Sequence, residues 1–257
     1  MLSHNEFKFL RSLKQKKFRR EYRCFIVEGK KLVREVLHSS FRVKSVYATQ
    51  QWLDQHATFY HDIHLISEKE CRQISSLTNA PQVFALVQMP DKEPVFSASD
   101  CKKILLLDSL QDAGNFGTII RTADWFGIDA VVCSPNMVEV YNPKTLQASM
   151  GSFTRIPVFR FDLTAFFQEY ANVYTFFAAC MEGESIRNVN FPQYSAVVFG
   201  SESFGISPEL SAQIQRKITI PEGNPHRRRQ PESLNVSLAA AVVCYEVMRN
   251  NIIIDTN

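Results

Sequence analysis

Cysteine is sparse and scattered in this 257-residue chain: six residues, at positions 24, 71, 101, 133, 180 and 244, with no Cys-x-x-Cys pair among them. That spacing excludes the paired-thiol redox and zinc motifs, and most of the six fall in apolar runs, as reduced core cysteines do. Also missing is any apolar run long enough to cross a bilayer, and the opening MLSHNEFKFLRSLKQKK has no apolar centre of the kind a secretory leader needs. A soluble, cytoplasmic protein is the expectation. The dinucleotide fingerprint Gly-x-Gly-x-x-Gly follows none of the apolar strands, and neither does the phosphate loop ending in Gly-Lys-Ser/Thr. Hydride-transfer and NTPase chemistry are therefore disfavoured. His56, His61 and His64 have no companion ligands at helical or loop spacing, so no metal is expected.

What is present is ample core material: 45% of residues are hydrophobic and 21% charged, in a length comfortable for two domains. The net charge of +3 hides an asymmetry. Residues 1–50 carry 13 Lys and Arg against 4 Asp and Glu, a balance of +9, while the remainder is at −6. Eight of those basic residues lie between Lys8 and Arg23. A basic module joined to a mildly acidic body points to a polyanion-binding domain on a catalytic one.

Residues 5–20 read as one helix, with Phe7, Leu10, Leu13 and Phe18 among the basic residues. Short strands then alternate with helices through QVFALVQM, predicting a small α/β domain with a partly parallel sheet over residues 1–89. Pro90–Asp100, PDKEPVFSASD, lacks periodicity and reads as a linker. From 101 to 257 strands are expected at 103–108, 130–133, 156–159, 174–179, 196–200 and 217–220. Helices are expected near 116–126, 142–150, 163–171, 206–215 and 234–249. This alternation predicts a parallel, doubly wound sheet with ligands at the strand C-termini.

Three stretches can carry chemistry. In Asp108–Ala123, DSLQDAGNFGTIIRTA, a buried strand breaks at Gly114 and Gly117 and continues as a helix, with Asn115 between the glycines and Arg121 one turn on. Val197–Ser207, VVFGSESFGIS, nearly spells a nucleophile elbow, but Ser201 replaces the first glycine and no acid and histidine follow convincingly, which disfavours a serine hydrolase. Ile218–Arg249 opens a small-residue helix through ESLNVS, where Glu232 and Ser233 suit a helix start and Asn235 is a poor residue just inside it. Its loop, with His226, Arg227, Arg228 and Arg229, reads either as a phosphate-seeking cluster or as a mobile charged loop.

Together DSLQDAGNFGTIIRTADWFG, FGSESFGIS and IP…ESLNVSLAAAVVCYE resemble motifs 1, 2 and 3 of the SpoU/TrmH-type (SPOUT) RNA 2′-O-methyltransferases, in the right order across residues 104–249. YNPKTLQASMGS (141–152) is similar to the family's middle segment, and the region from RREYRCFIVEGKKLVREVL resembles its RNA-binding domain, akin to a ribosomal-protein α/β fold. The resemblance implies S-adenosylmethionine as donor, a ribose 2′-hydroxyl as acceptor, a C-terminal trefoil knot and a homodimer. It places Gly200, Ile220 and Leu234 at cofactor positions and Asn115, Arg121, Glu202, Ser233 and Asn235 at polar active-site positions. Lys14, Lys16, Lys17, Arg19, Arg20 and Arg23, with Arg227, Arg228 and Arg229, become the RNA contacts. Ala113 stands at a usual proline, Ser203 at a usual glycine, and the 222–231 loop is longer than usual. The expected substrate is structured RNA, ribosomal before transfer RNA; a non-catalytic RNA-binding assembly factor is the rival from another class.

Overall fold

The computed structural model describes residues 2–56, 63–91, 94–223 and 232–249. They form two compact units, Met1–Glu93 with Glu139–Arg155, and Pro94–Val138 with Ile156–Asn257.

In the first unit α1 (His4–Ser12) and α2 (Lys16–Tyr22) precede β1 (Cys24–Glu28), α3 (Lys30–Leu37), β2 (Val43–Ala48), α4 (Gln50–Gln55), β3 (Ile63–Leu65), α5 (Glu68–Ile74) and β4 (Val83–Gln88). The sheet order is β1-β4-β2-β3, antiparallel except for the parallel β2–β3 pair. Helix starts are chemically marked. Ser67 and Glu70 close a reciprocal capping box on α5, and Thr49 accepts from the Trp52 N–H on α4. The single helix expected over residues 5–20 is two helices. Arg19 turns back and donates to the Leu13 (2.9 Å) and Lys14 (2.7 Å) carbonyls, satisfying acceptors that a continuous helix would pair along its own backbone.

In the second unit β5 (Lys103–Leu107), α6 (Ala113–Phe126) and β6 (Ala130–Cys133) lead, and the chain visits the first unit through α7 (Pro143–Ser149). It returns with β7 (Val158–Arg160), α8 (Leu163–Tyr170), β8 (Thr175–Ser185), β9 (Ser195–Phe199), α9 (Pro208–Ser211), β10 (Arg216–Thr219) and α10 (Val236–Met248). The six strands are all parallel in the order β10-β8-β9-β5-β6-β7. Every residue of β5, β6 and β9 is buried, as a sheet covered on both faces requires. The chain runs outward from β5 through β6 to β7, then crosses to the other side, so β5 and β9 flank the point where strand order reverses. Ligands of such sheets collect outside the strand C-termini at that point.

Most boundaries shift by a residue, α6 starts three residues early at its Asp112 cap, and four others differ more tellingly. β7 starts two residues late because Pro157 has no N–H to give a ladder. β8 runs to Ser185, through a largely exposed CMEGES extension that shows no alternation. Helix 206–215 shrinks to α9, and α10 begins only after Asn235.

Candidate active site

Three loops meet at the C-terminal ends of β5 and β9. The first leaves β5 at Asp108, which is buried at 5% exposure. Its Oδ2 accepts from the Ser207 N–H (2.8 Å), its Oδ1 accepts from the Ser109 hydroxyl (2.9 Å), and its own N–H donates to the Phe199 carbonyl (2.8 Å). Asp108 thus ties the exit of β5 to both ends of the loop after β9, by its backbone N–H at Phe199 and its carboxylate at Ser207. Ser109 sits at φ 61°, the left-handed region, held there by its N–H to Ser134 Oγ (2.9 Å). Sequence reasoning assigned Asp108 and Ser109 no role; the available signal was a carboxylate closing the apolar run ILLL.

Asp112 then caps α6, accepting from the Asn115 N–H at 2.8 Å. Asn115 therefore lies in the first helical turn with its amide free to reach outward. Its Nδ2 donates to Glu202 Oε1 (2.6 Å), and its Oδ1 accepts from Asn235 Nδ2 (3.1 Å). Asn235 in turn caps α10, its Oδ1 accepting from the Ser237 N–H (2.9 Å) and hydroxyl (2.6 Å). That corrects the reading of Asn235 as a misplaced helix residue: it is the cap, a role sequence had given to Ser233. Ser233 is exposed and makes no hydrogen bond with the described residues, so the structure does not join it to the amide cluster.

Arg121 lies about 9 Å further along α6 at 1.5 Å per residue. It is exposed, and no hydrogen bond or ion pair engages it among the described residues. Helical side chains lean toward the N-terminus, and the residue one turn back is Gly117, which has no side chain to obstruct it. A fixed cation with no partner among the described residues thus leans toward the Asn115 end of the helix, ready for an anionic ligand group.

The loop after β9 is a tight hydrogen-bonded turn, with Ser201 and Gly205 exchanging N–H to carbonyl bonds at 2.9 Å each way. A Cβ on Gly200 would stand 1.9 Å from the Gly205 carbonyl carbon, so no side chain is possible there. Gly205 carries the positive φ of the turn (68°), and Ser203 does not, so the serine at the usual glycine position is unstrained.

Gly200 follows β9, Ile220 follows β10, and Leu234 precedes α10. Ile220 is half-buried and Leu234 is 51% exposed. Among the described residues no turn or loop backbone bond uses Gly200, Ile220 or Leu234. Two apolar residues and a glycine that admits no side chain, each at a strand exit or a helix entry, are residue types suited to a nucleoside-type cofactor held through backbone contacts.

The basic residues of the first unit divide. Lys16, Lys17 and Arg20 are exposed on α2. Lys14 donates to the Gln73 carbonyl (3.1 Å) and the Ser75 carbonyl (2.5 Å), and burial pushes its ammonium below the ordinary lysine range. The Arg23 guanidinium donates to the Pro90 carbonyl. Arg19 is a correction: at 2% exposure it is ion-paired with Glu139 and satisfied by two carbonyls, so it holds the fold and does not face RNA. Arg227, Arg228 and Arg229 lie outside the described residues, as does His61. No group of three metal-ligating side chains occurs among the described residues.

A model of the SpoU rRNA methylase family matches residues 102–245, more than half the chain. The chain belongs to the SpoU rRNA methylase family. A model of the MRM3-like substrate binding domain matches residues 4–85. A Bacillus subtilis 23S rRNA (guanosine(2553)-2′-O)-methyltransferase, RlmP, is 30% identical over 240 residues, 92% of this chain and 93% of its own. A solved structure of a TrmH-family protein from Porphyromonas gingivalis superposes with a TM-score of 0.83 at 36% identity, covering 97% of this chain and 99% of that one. An AdoMet-bound rRNA methyltransferase from Sinorhizobium meliloti gives 0.81 at 25% identity, covering 98% and 97%. This SpoU-family chain is thus a methyltransferase of the SPOUT fold, whose family topology carries the trefoil knot. S-adenosylmethionine, bound in the S. meliloti structure, is its cofactor.

Proposed function

We propose that this SpoU-family enzyme transfers the methyl group of S-adenosylmethionine to a ribose 2′-hydroxyl of structured RNA, ribosomal RNA first, in the cytoplasm. The observation that carries the reading is the hydrogen-bonded chain Glu202–Asn115–Asn235, whose middle member lies on the helix that also presents Arg121, exposed and without a partner among the described residues. Gly200, Ile220 and Leu234 would hold the cofactor, which supplies an electrophilic methyl group when bound. A ribose hydroxyl is a poor nucleophile until negative charge on its oxygen is stabilised. Arginine, with a pKa above about 12, is a reluctant base. Arg121 therefore acts as cation, binding the neighbouring phosphate and stabilising charge on the 2′-oxygen. Asn115 and Asn235, locked to one another, orient the hydroxyl, and Glu202 fixes the amide of Asn115 so that its carbonyl faces Asn235. Residues 1–89 would bind RNA through phosphates and shape, with 90–100 as linker and 101–257 as catalytic domain, apart from the Glu139–Arg155 segment that belongs to the first compact unit.

We place a homodimer contact on α10. Its buried face holds Val236, Ala240, Val243 and Val247, yet Leu238 (59%), Val242 (39%) and Tyr245 (49%) form an exposed apolar stripe on the other side. Trp125 of α6, the helix packed on α10, is 84% exposed. A monomeric mass at micromolar concentration would refute the dimer; Leu238→Glu is expected to produce it.

The reaction is tested by incubating the protein with methyl-labelled donor and total RNA, then mapping alkali-resistant linkages. Label in ribosomal RNA at a 2′-position is expected, and label confined to transfer RNA would reassign the substrate. Absence of transfer to any RNA would leave a binding factor on an enzyme fold.

A further inference from the structure

Phe204 is the most exposed large hydrophobic residue among those described, at 92%. It takes part in no ring contact with the described residues, and its face is left open to solvent. Exposed loop phenylalanines are ordinarily free to swing, but this one is mounted on a braced turn. Ser201 and Gly205 close the turn through two backbone bonds, and the Phe204 N–H itself donates to Ser201 Oγ (3.1 Å). Gly200 admits no side chain beneath it, which keeps the turn flat against the strand end. Two residues earlier in the same turn, Glu202 accepts from Asn115. The two Cα atoms are at most about 7 Å apart by chain geometry. The turn therefore carries one residue into the amide cluster and presents an aromatic face at its rim.

We infer that Phe204 is a stacking platform for an unpaired base of the RNA, at or next to the nucleotide whose ribose is methylated. The inference deepens the proposed function and rests on it. A ribose hydroxyl brought to Asn115 and Arg121 carries its base outward, and a base out of its helix needs a flat apolar partner. Phenylalanine supplies one for any of the four bases, because stacking uses the π-face and not the hydrogen-bonding edge. Phe204 is thus a positioning residue, and sequence selection lies with other groups.

The test uses the full chain with S-adenosylhomocysteine and a single-stranded oligoribonucleotide carrying 2-aminopurine, whose fluorescence is quenched by stacking. Wild type and Phe204→Tyr are expected to quench the probe; Phe204→Ala and Phe204→Leu are expected to lose the quench. With total ribosomal RNA, Phe204→Ala should raise KM by about 5- to 150-fold, the usual range for a lost base stack, with kcat within about twofold. Leucine should not rescue, because it restores apolar volume without a π-face. Absence of quenching in wild type, full rescue by leucine, or an unchanged KM each overturn the inference. A monomeric Phe204→Ala would instead place the ring in a subunit contact, and a lost donor affinity would place it against the cofactor. If wild type quenches through Phe204 yet transfers no methyl group to any RNA, stacking stands and the methyltransferase reading falls.

Discussion

Asn115→Asp is the sharpest probe of the amide cluster. The substitution preserves shape and the oxygen that accepts from Asn235 at 3.1 Å, but replaces the donor 2.6 Å from Glu202 by a second carboxylate oxygen. Two unit charges about 3 Å apart repel by about 1.4 kcal/mol at the dielectric of water and about 5.5 kcal/mol at an effective value of 20. Both side chains are accessible, so screening sets the repulsion near the lower end, about 1–2 kcal/mol. Loss of the charge-assisted hydrogen bond adds about 1 kcal/mol after the same discount. The expected loss in kcat/KM at pH 8 is then about 30- to 150-fold, or about 2–3 kcal/mol of transition-state stabilisation. Repulsion raises the upper pKa of the new pair, so a shared proton returns as pH falls and the deficit shrinks toward pH 6. Asn115→Ala lacks the second charge, and its deficit should not vary with pH. Glu202→Gln in the Asn115→Asp background reverses the bond, with the introduced amide donating to the introduced carboxylate, and should recover much of the loss. The assay is methyl transfer from labelled donor across pH 6–8.5. An Asn115→Asp enzyme as active as wild type at pH 8, or one tracking Asn115→Ala at every pH, would refute the assigned geometry.

Arg121→Ala should abolish transfer while leaving donor affinity by calorimetry nearly intact; residual turnover above about 1% would remove Arg121 from the acceptor side. Arg19→Ala should destabilise the fold by about 3–5 kcal/mol in denaturant titration by orphaning buried Glu139, without changing the salt dependence of RNA binding. Neutralising Lys16, Lys17 and Arg20 together should do the reverse, lowering the slope of log affinity against log salt by about two. Gly200→Ala should prevent the turn from closing, since its Cβ would lie 1.9 Å from backbone, and donor binding should be lost. Burial pushes the thiols of Cys133 and Cys244 up to about 12 and Cys71 up to about 11, whereas Cys180 is only half-buried. A disulfide reagent at pH 8 should modify Cys180 first, and all six only after unfolding.

The sheet was legible because its strands are short apolar runs of β-branched and leucine residues between polar helices. β5, β6 and β9 are buried on both faces and read as such. The β8 extension was not, because CMEGES pairs with β10 only at Glu184 and Ser185, beyond a register shift, and offers no hydrophobic pattern. The break between α1 and α2 was hidden for a different reason: a guanidinium six residues downstream takes the helix-end carbonyls, an interaction no periodicity reports. The same residue shows why a basic run is a poor guide to a binding face, since Arg19 and Lys16 look alike in sequence and differ completely in burial. In the site, Asn115, Glu202 and Asn235 were named from motif resemblance, but their mutual hydrogen bonds required coordinates. Asp108 went unnamed because its work is done by depth: a carboxylate that joins two loops while touching no ligand position.

The cluster's two bonds link residues 87 and 120 positions apart in the chain. Contacts of that span are reached late, after the loop entropy between them has been spent. During synthesis Asn115 and Glu202 emerge well before Asn235, the cap of α10, so the nascent chain holds two-thirds of the cluster and no working whole. On the roles proposed for the cluster, methylating ability should arrive in one step with α10, and a chain cut short of it should be silent rather than weakly active. A fold that stores its chemistry across such distances would thereby keep its own unfinished copies from modifying RNA.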